Sequence, residues 1–220
     1  MHRTNIAEEK VFFALQLVRD LIGQRVYPVH RLDRKTSGIL LFALDKSVHR
    51  DMQFLFSQGQ IQKKYLAIVR GYCNDNEVID YPLLKENGSK VDATTYYELL
   101  GKMELDISST RYKTSRYSLV AIYPRTGRMH QIRKHFAHIN HPVIGDRPYG
   151  CHIQNRFFKE KWYITTMMLH AAEMKFIHPV NGNEIEIHAD IQEEFKKTMH
   201  ILGFDNTLID KIDTPYEQEK

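Results

Sequence analysis

The hydrophobic and polar positions along the chain predict short helices and strands in irregular order. Apolar residues recur every three and four positions in four segments, which predicts amphipathic helices over residues 8–22, 47–57, 129–140 and 191–202. Strand-like composition occurs in four further segments, residues 39–44, 63–72, 93–100 and 115–123, and in a hairpin pattern over residues 174–189. Because no βαβ repeat is present, we predict an α+β fold with a mixed, mainly antiparallel sheet flanked by helices.

The predicted helix at residues 129–140 is expected to place its apolar stripe against the core. Met129, Ile132, Phe136 and Ile139 form that stripe. Arg133 lies one position past Ile132, so the pattern predicts that it leans away from this apolar stripe.

Composition and length place the chain among ordinary globular proteins. It has 220 residues, of which 42% are hydrophobic and 26% charged, and it contains no linker rich in Pro, Gly or Ser. We therefore expect one domain over residues 1–220, ending in an acidic tail at about residues 204–220. No apolar run approaches a membrane span, and the first ten residues carry acids where a secretion signal would be apolar. We expect a cytoplasmic monomer without a membrane segment.

The charge is distributed unevenly along the chain. Residues 107–145 contain seven Lys and Arg and no Asp or Glu, whereas residues 184–220 contain ten acids and four lysines. Tyrosines are interleaved with the cations of the basic stretch, a pattern typical of nucleic-acid binding. The alternative is a solvated basic face, and charge by itself does not distinguish RNA from DNA or from a phosphorylated small molecule.

The sequence does not favour a nucleotide-binding enzyme, a disulfide framework or a thiolate zinc site. The chain has no Walker A motif, no G-x-G-x-x-G and no D-F-G, and its two cysteines are isolated. Histidines at positions 130, 135, 138 and 141 suggest a metal site, but their stretch holds no carboxylate and many cations. We therefore expect no metal there, and the histidines are interpreted as RNA-facing or as hydrogen-bonded within the core.

Asp33 is the strongest candidate for a catalytic residue. It is a single acid flanked by Arg31, Arg34 and Lys35, in a loop that leads into an apolar segment. Neighbouring cations keep a carboxylate ionised, and a positioned carboxylate can act as nucleophile or base. The alternative is a loop aspartate that caps a turn or pairs with one arginine.

Two further residues allow both a structural and a functional interpretation. Tyr65 follows two lysines in a predicted strand, so its ring either packs in the core or faces a nucleic-acid base. Arg133 is either a solvent-exposed arginine or a fixed guanidinium that pairs with Asp33, because arginine holds carboxylates in a planar fork.

Four segments in order resemble the signatures of the RluA family of RNA pseudouridine synthases. They are YPVHRLDRKTSGILLFALDK, QIQKKYLAIVRGY, RTGRMHQIRKHFAHINHPVIGDRPYG and LHAAEMKFIHP, and together they cover most of residues 24–190. The resemblance implies a pseudouridine synthase fold with a central catalytic cleft. It also implies isomerisation of uridine to pseudouridine in RNA, without cofactor or metal.

The resemblance implies a role for five individual residues. Asp33 matches the catalytic aspartate, and Arg133 matches the arginine that pairs with it. Tyr65 matches the tyrosine that stacks on the target base, and Arg31 matches the arginine that fills the space left by that base. Leu169 matches a hydrophobic residue that bounds the pocket. Together with the basic stretch, the resemblance leads us to expect RNA contacts from Arg31, Arg34, Lys35, Arg125, Arg128, His130 and Lys134.

Within the family, the chain resembles the branch that acts on tRNA. The segments DYPLLKE and GCHIQNR look like that branch, and we expect no S4 domain in front of the catalytic domain. The branch resemblance implies uridine 65 of tRNA as the target. Relatives usually begin with an additional strand and a Lys-Pro segment, and this chain opens after the corresponding point. The alternatives are a family member acting on ribosomal RNA and a non-catalytic RNA-binding module.

Overall fold

A mixed sheet dominates the computed structural model, which describes residues 13–108, 112–205 and Leu208. The strands in these residues are β1 (Tyr27–Pro28), β2 (Ser37–Gly38), β3 (Phe42–Ala43), β4 (Gln62–Arg70), β5 (Asn76–Asp80), β6 (Leu83–Leu84), β7 (Lys90–Val91), β8 (Thr94–Leu105), β9 (Ser115–Pro124), β10 (Leu169–Ile177) and β11 (Glu184–His188). Six strands of the main sheet lie in the order β11-β10-β4-β9-β8-β5 and are antiparallel, while β2 pairs with β10 in parallel. The predicted mixed, mainly antiparallel sheet is confirmed.

Helices cover both faces of this sheet. The helices in the described residues are α1 (Ala14–Ile22), α2 (Lys46–Ser57), α3 (Gln131–His138), α4 (His152–Trp162) and α5 (Glu193–Leu202). The alternation of β4 sends Leu66 and Ile68 to one side, where the core includes residues of α4 and α5. Ala67 and Val69 point to the other side, where the core includes Ile132 and Phe136 of α3. Both faces of β4 are therefore buried.

The helix predictions differ from the structure mainly at the ends. α2 begins one residue before the predicted helix because the Asp45 carboxylate accepts hydrogen bonds from the amides of Ser47 (2.7 Å) and Val48 (3.3 Å). α1 covers the described part of the segment predicted over residues 8–22, and residues up to 12 lie outside the described range. α3 begins at Gln131, so the prediction that Met129 faces the core is wrong: its side chain is 40% exposed.

Three other sequence predictions need correction. The segment 39–44 is a strand only at β3, which pairs with β1, a strand that the sequence pattern did not predict. α4 was also missed, because only Gln154 and Phe158 of its eleven residues are buried and no long apolar stripe is present. The tail does not begin at residue 204, since Phe204 is 3% exposed and Leu208 packs against the same core. Residues 206, 207 and 209–220 lie outside the described range.

Among the described helices, none combines the length and apolar character needed to cross a membrane.

Candidate active site

A pocket of about 410 Å³ lies between the loop that precedes β2, the start of α3 and the strands β4 and β10. Seven of the eleven residues expected from the sequence line it: Arg31, Asp33, Tyr65, Arg128, His130, Arg133 and Leu169. Four do not, namely Arg34, Lys35, Arg125 and Lys134. The structure thus collects residues from sequence positions 31 to 169 around one cavity.

The loop that carries Asp33 is followed directly by β2, which pairs with β10. The amide of Thr36 donates to the carbonyl of Asp33 at 2.9 Å, and the Ser37 hydroxyl lies 2.8 Å from Nδ1 of His170. Gly38 has φ +100°, and a Cβ atom there would lie 2.1 Å from the carbonyl oxygen of Ala171. Only glycine allows this close parallel pairing with β10, so the position of Asp33 depends on a glycine five residues later.

Arg133 holds Asp33 by a direct ion pair. Its Nη1 donates to Oδ2 of Asp33 at 2.9 Å, and the Asp33 side chain is 20% exposed. Arg133 itself is 7% exposed, so the alternative of a solvent-exposed arginine is wrong. Helical periodicity does not detect a partner 100 positions away, and the ion pair is the reason that this charged residue is buried.

Asp146 is the residue that sequence reasoning missed. Its carboxylate binds the same guanidinium in a fork, with Nε at 2.7 Å from Oδ2 and Nη2 at 2.8 Å from Oδ1. Asp146 is 1% exposed and also accepts the Tyr149 amide at 3.3 Å. Burial lowers the pKa of Arg133, but the hydrogen bonds to Asp146 and Asp33 outweigh this effect and raise it overall. Asp146 follows Gly145 in the GDRPYG segment, and that motif was the available signal.

Tyr65 is a residue of β4, and its side chain lines the same pocket as Asp33. Burial and then the negative charge of Asp33 raise the pKa of Tyr65 to about 12, so its hydroxyl stays protonated at neutral pH. Leu169 of β10, 3% exposed, lines the same pocket. The Oγ1 atom of Thr36 is buried at the pocket wall and has no hydrogen-bond partner among the described residues. A bound molecule can satisfy it.

His130 links the pocket to the Asp146 loop. It precedes α3 with a left-handed φ of 55°, its Nδ1 lies 3.0 Å from the Tyr149 hydroxyl, and its Nε2 lies 3.7 Å from Oδ1 of Asp33. Burial lowers the pKa of His130, which favours the neutral imidazole at neutral pH. A neutral ring at this place leaves Arg133 as the cation paired with Asp33.

Of the remaining basic residues, only Arg128 lines the pocket, and the other four lie outside its lining. Arg34 and Arg125 are exposed. The ammonium of Lys35 donates to the carbonyl of Thr165 at 2.8 Å, and that of Lys134 to the carbonyl of Leu84 at 3.3 Å. Arg128 lines the pocket and donates through Nε to the carbonyl of Asp92 at 3.0 Å. Each of the four residues outside the lining is adjacent in sequence to a residue that lines the pocket.

Three histidines of the basic stretch, His130, His135 and His141, are engaged in hydrogen bonds, and the ring of His138 stacks on Tyr81. Nδ1 of His135 lies 2.9 Å from Thr95 Oγ1, and its Nε2 lies 3.0 Å from the carbonyl of Tyr81. Within the described residues, the group of side chains that could hold a metal ion lies elsewhere, at Glu173, Glu186 and His188 on β10 and β11.

The stability of the protein is expected to fall as the pH drops from about 6.5 to about 4. His30, at the pocket wall, accepts a hydrogen bond from the Leu41 amide through Nε2 at 3.1 Å, and burial lowers its pKa from 6.5 to about 4. Between these values the unfolded chain binds the proton and the folded chain does not, so acid favours unfolding. Urea unfolding at pH 7.5 and pH 5 measures the decrease in the free energy of unfolding.

His30→Gln is the matched variant, since its amide oxygen can accept the same bond but does not titrate. We expect a smaller loss of stability between the two pH values in this variant than in the wild type. Equal losses in both proteins would show that His30 does not contribute.

A family model described as RNA pseudouridylate synthase matches residues 1–138 of the chain. Curated proteins named tRNA pseudouridine synthase C are similar to it over most of their length. The protein of Haemophilus ducreyi is 41% identical over 214 residues, covering 93% of this chain and 88% of its own length. That of Yersinia pestis is 41% identical over 215 residues, with coverages of 93% and 84%. That of Vibrio cholerae is 37% identical over 220 residues, with coverages of 95% and 90%.

Two solved human structures share the fold. Human RNA Pseudouridylate Synthase Domain Containing 1 aligns with a TM-score of 0.66 and 22% identity, covering 91% of this chain and 85% of that one. Human RNA Pseudouridylate Synthase Domain Containing 4 aligns with a TM-score of 0.66 and 24% identity, covering 86% and 81%. Together with the family model, which spans more than half of the chain, and with relatives more than 35% identical, these findings establish that the chain belongs to the RNA pseudouridylate synthase family.

Proposed function

We propose that this chain isomerises one uridine of tRNA to pseudouridine, with Asp33 as the catalytic carboxylate. The observation that carries the proposal is the Asp33 carboxylate, held by Arg133 at 2.9 Å inside a pocket lined otherwise by cations, histidines and uncharged residues. The names of the similar curated proteins favour tRNA over ribosomal RNA as the substrate. Uridine 65 is the proposed position. The proposed enzyme is a cytoplasmic monomer, with residues 1–220 as one catalytic domain.

The reaction needs few groups because it is an isomerisation. The bond between N1 of uracil and C1′ of ribose breaks, the base turns, and C5 bonds to C1′. C5 then loses its proton and N1 gains one, so that atoms and charge balance without a cofactor or a metal. An anionic carboxylate can assist by attack on the sugar or the base, or by proton abstraction from the sugar. Asp33 is proposed to do so, next to the ring of Tyr65.

The target base must first leave its stack, at a cost of a few kcal/mol. The exposed Arg31, two residues before Asp33 at the pocket wall, is proposed to occupy the vacated space. Arg34, Lys35, Arg125, Arg128, His130 and Lys134 are proposed to hold the RNA backbone around the opening. Counterion release from these contacts offsets the cost of extrusion and makes binding depend on salt.

Tyr65 is expected to act through its ring rather than as a base, since burial and Asp33 raise its pKa to about 12. Stacking on a base contributes about 1–3 kcal/mol, so Tyr65→Leu should lower kcat/KM by roughly 10- to 100-fold. Tyr65→Phe keeps the stacking surface and should retain more activity than the leucine variant. Steady-state rates on tRNA compare the two. Equal activity of all three proteins would restrict this side chain to packing.

Pseudouridine mapping in mixed tRNA and ribosomal RNA tests the substrate assignment. Unmodified transcripts of both are incubated with the purified chain, and modified uridines are located by carbodiimide labelling and reverse transcription. We expect one pseudouridine in tRNA, at position 65. Modification of ribosomal RNA only would favour the alternative substrate, and RNA binding without product would favour a non-catalytic binding module.

A further inference from the structure

The pocket carries more positive charge than its own residues neutralise. Asp33 is the single acid among its lining residues, whereas Arg31, Lys63, Arg128 and Arg133 are cations. The pair of Asp33 with Arg133 leaves three cations without a carboxylate in the pocket. Two of them, Arg31 and Arg128, are exposed and can be solvated by water, but Lys63 is partly buried. Lys63 is therefore the residue whose charge needs an explanation.

Lys63 faces the pocket because of its register on β4. It lies two residues before Tyr65, so both side chains point to the same face of the sheet. Lys64 points to the opposite face, where its ammonium lies 3.6 Å from Glu173. Among the described residues, none forms an ion pair or a hydrogen bond with the Lys63 ammonium. Of two adjacent lysines, the one outside the pocket is paired with an acid and the one inside it is not.

The Lys63 ammonium lies next to the turn that contains Gly127. It is 4.0 Å from where a Cβ of Gly127 would be, in the turn between the exposed Arg125 and Arg128. Its positive charge contributes to the lowered pKa of His30, whereas the charge of Asp33 acts on Tyr65. The pocket thus contains one carboxylate, where the base is proposed to react, and an ammonium without an acid partner beside the Gly127 turn.

A partly buried ammonium without a counterion is costly to maintain. Burial lowers the pKa of Lys63. A bound anion removes that cost, while a neutral carbonyl group does so only in part. The anion that an RNA substrate brings into such a pocket is the phosphate beside the extruded nucleotide.

We propose that Lys63 binds a backbone phosphate of the extruded uridine and so fixes the nucleotide with its base toward Asp33. This inference rests on the proposed function. It assigns Lys63 to the phosphate, and Tyr65, Leu169 and Asp33 to the base. Lys63 is a binding residue, since it touches the substrate away from the reacting atoms.

The salt dependence of tRNA affinity tests this assignment. Lys63→Met and Lys63→Arg are compared in an Asp33→Asn background, so that the RNA is not converted during the measurement. Loss of one phosphate contact lowers the slope of log Kd against log salt by about 0.7–0.9 and weakens binding roughly 10-fold at low salt. We expect this change in Lys63→Met and a slope near that of the background in Lys63→Arg.

Lys102→Met is the matched control, because it removes the same charge from a lysine that pairs with Asp75 at 3.3 Å outside the pocket. Its slope and affinity should stay unchanged. An unchanged slope in Lys63→Met would overturn the proposal, and weaker binding at an unchanged slope would instead indicate a contact with a uracil carbonyl. Thermal unfolding confirms that each variant is folded. Wild-type product formation is measured separately: its absence would contradict the proposed function, whereas an unchanged slope contradicts only the role of Lys63.

Discussion

Replacing Asp33 by Asn is expected to abolish pseudouridine formation while tRNA binding survives. The substitution keeps the shape of the side chain but removes the anion that each version of the chemistry requires. Losing a positioned acid–base group costs up to about 10⁴-fold in rate, and we expect a fall of at least about 10³-fold here. Binding should persist within a few-fold, since the change makes the pocket more positive toward a polyanion.

Release of tritium from tRNA labelled at C5 of uridine measures the rate, and filter binding measures the affinity. Asp51→Asn is a suitable control, because Asp51 pairs with Arg50 on the surface and lies outside the pocket. The control should turn over at the wild-type rate. Substantial turnover by Asp33→Asn would remove the carboxylate from the mechanism.

Replacing Arg133 by Met is expected to have the largest effect on stability, as well as to inactivate the enzyme. The guanidinium binds the buried Asp146 in a fork and Asp33 through Nη1. Its loss leaves the Asp146 carboxylate, 1% exposed, without a cation. Removing one partner of a buried ion pair costs about 3–5 kcal/mol in the free energy of unfolding. Urea unfolding at neutral pH measures this cost.

A double-mutant cycle separates the loss of the ion pair from a loss of packing. Asp146→Asn removes the second charge with little change in shape, so the pair Arg133→Met and Asp146→Asn should be destabilised by less than the sum of the single variants. Arg116→Met controls for loss of an exposed ion pair, here with Glu104 at 3.1 Å, and should cost about 1 kcal/mol or less. Strict additivity in the cycle would show that Arg133 and Asp146 contribute independently.

The fold could be predicted from the sequence where one segment carries its own pattern. The segments that became β4, β9 and α5 have apolar positions at the period of their element, and the structure contains them within a few residues of the predicted bounds. α4 carries no such pattern. It is held by Phe158 in the core and by Gln154, which accepts a hydrogen bond from the hydroxyl of Tyr117 at 2.8 Å, and both contacts depend on tertiary structure.

The same distinction applies to the candidate site. Asp33 was identifiable as a single acid among cations, but the burial of Arg133 depends on two acids that are distant in sequence. Asp146 stands just after the acid-free stretch, where composition gives no reason to select it. In the pair Lys63 and Lys64, the register of β4 against β10 decides which lysine faces the pocket. The family resemblance implied that Arg133 pairs with Asp33. The positions of Asp146 and Lys63 became apparent only in the structure.

The stoichiometry of the reaction most directly tests whether this chain isomerises one uridine of tRNA without a cofactor or a metal. Purified wild-type chain is incubated with unmodified tRNA labelled with tritium at C5 of uridine, in the presence of a metal chelator and without added cofactor. We expect release of one tritium per tRNA molecule, with the RNA otherwise unchanged in mass because pseudouridine is an isomer of uridine. If the folded protein binds tRNA but releases no tritium from it, or releases tritium only when a metal is added, the proposed isomerisation is contradicted.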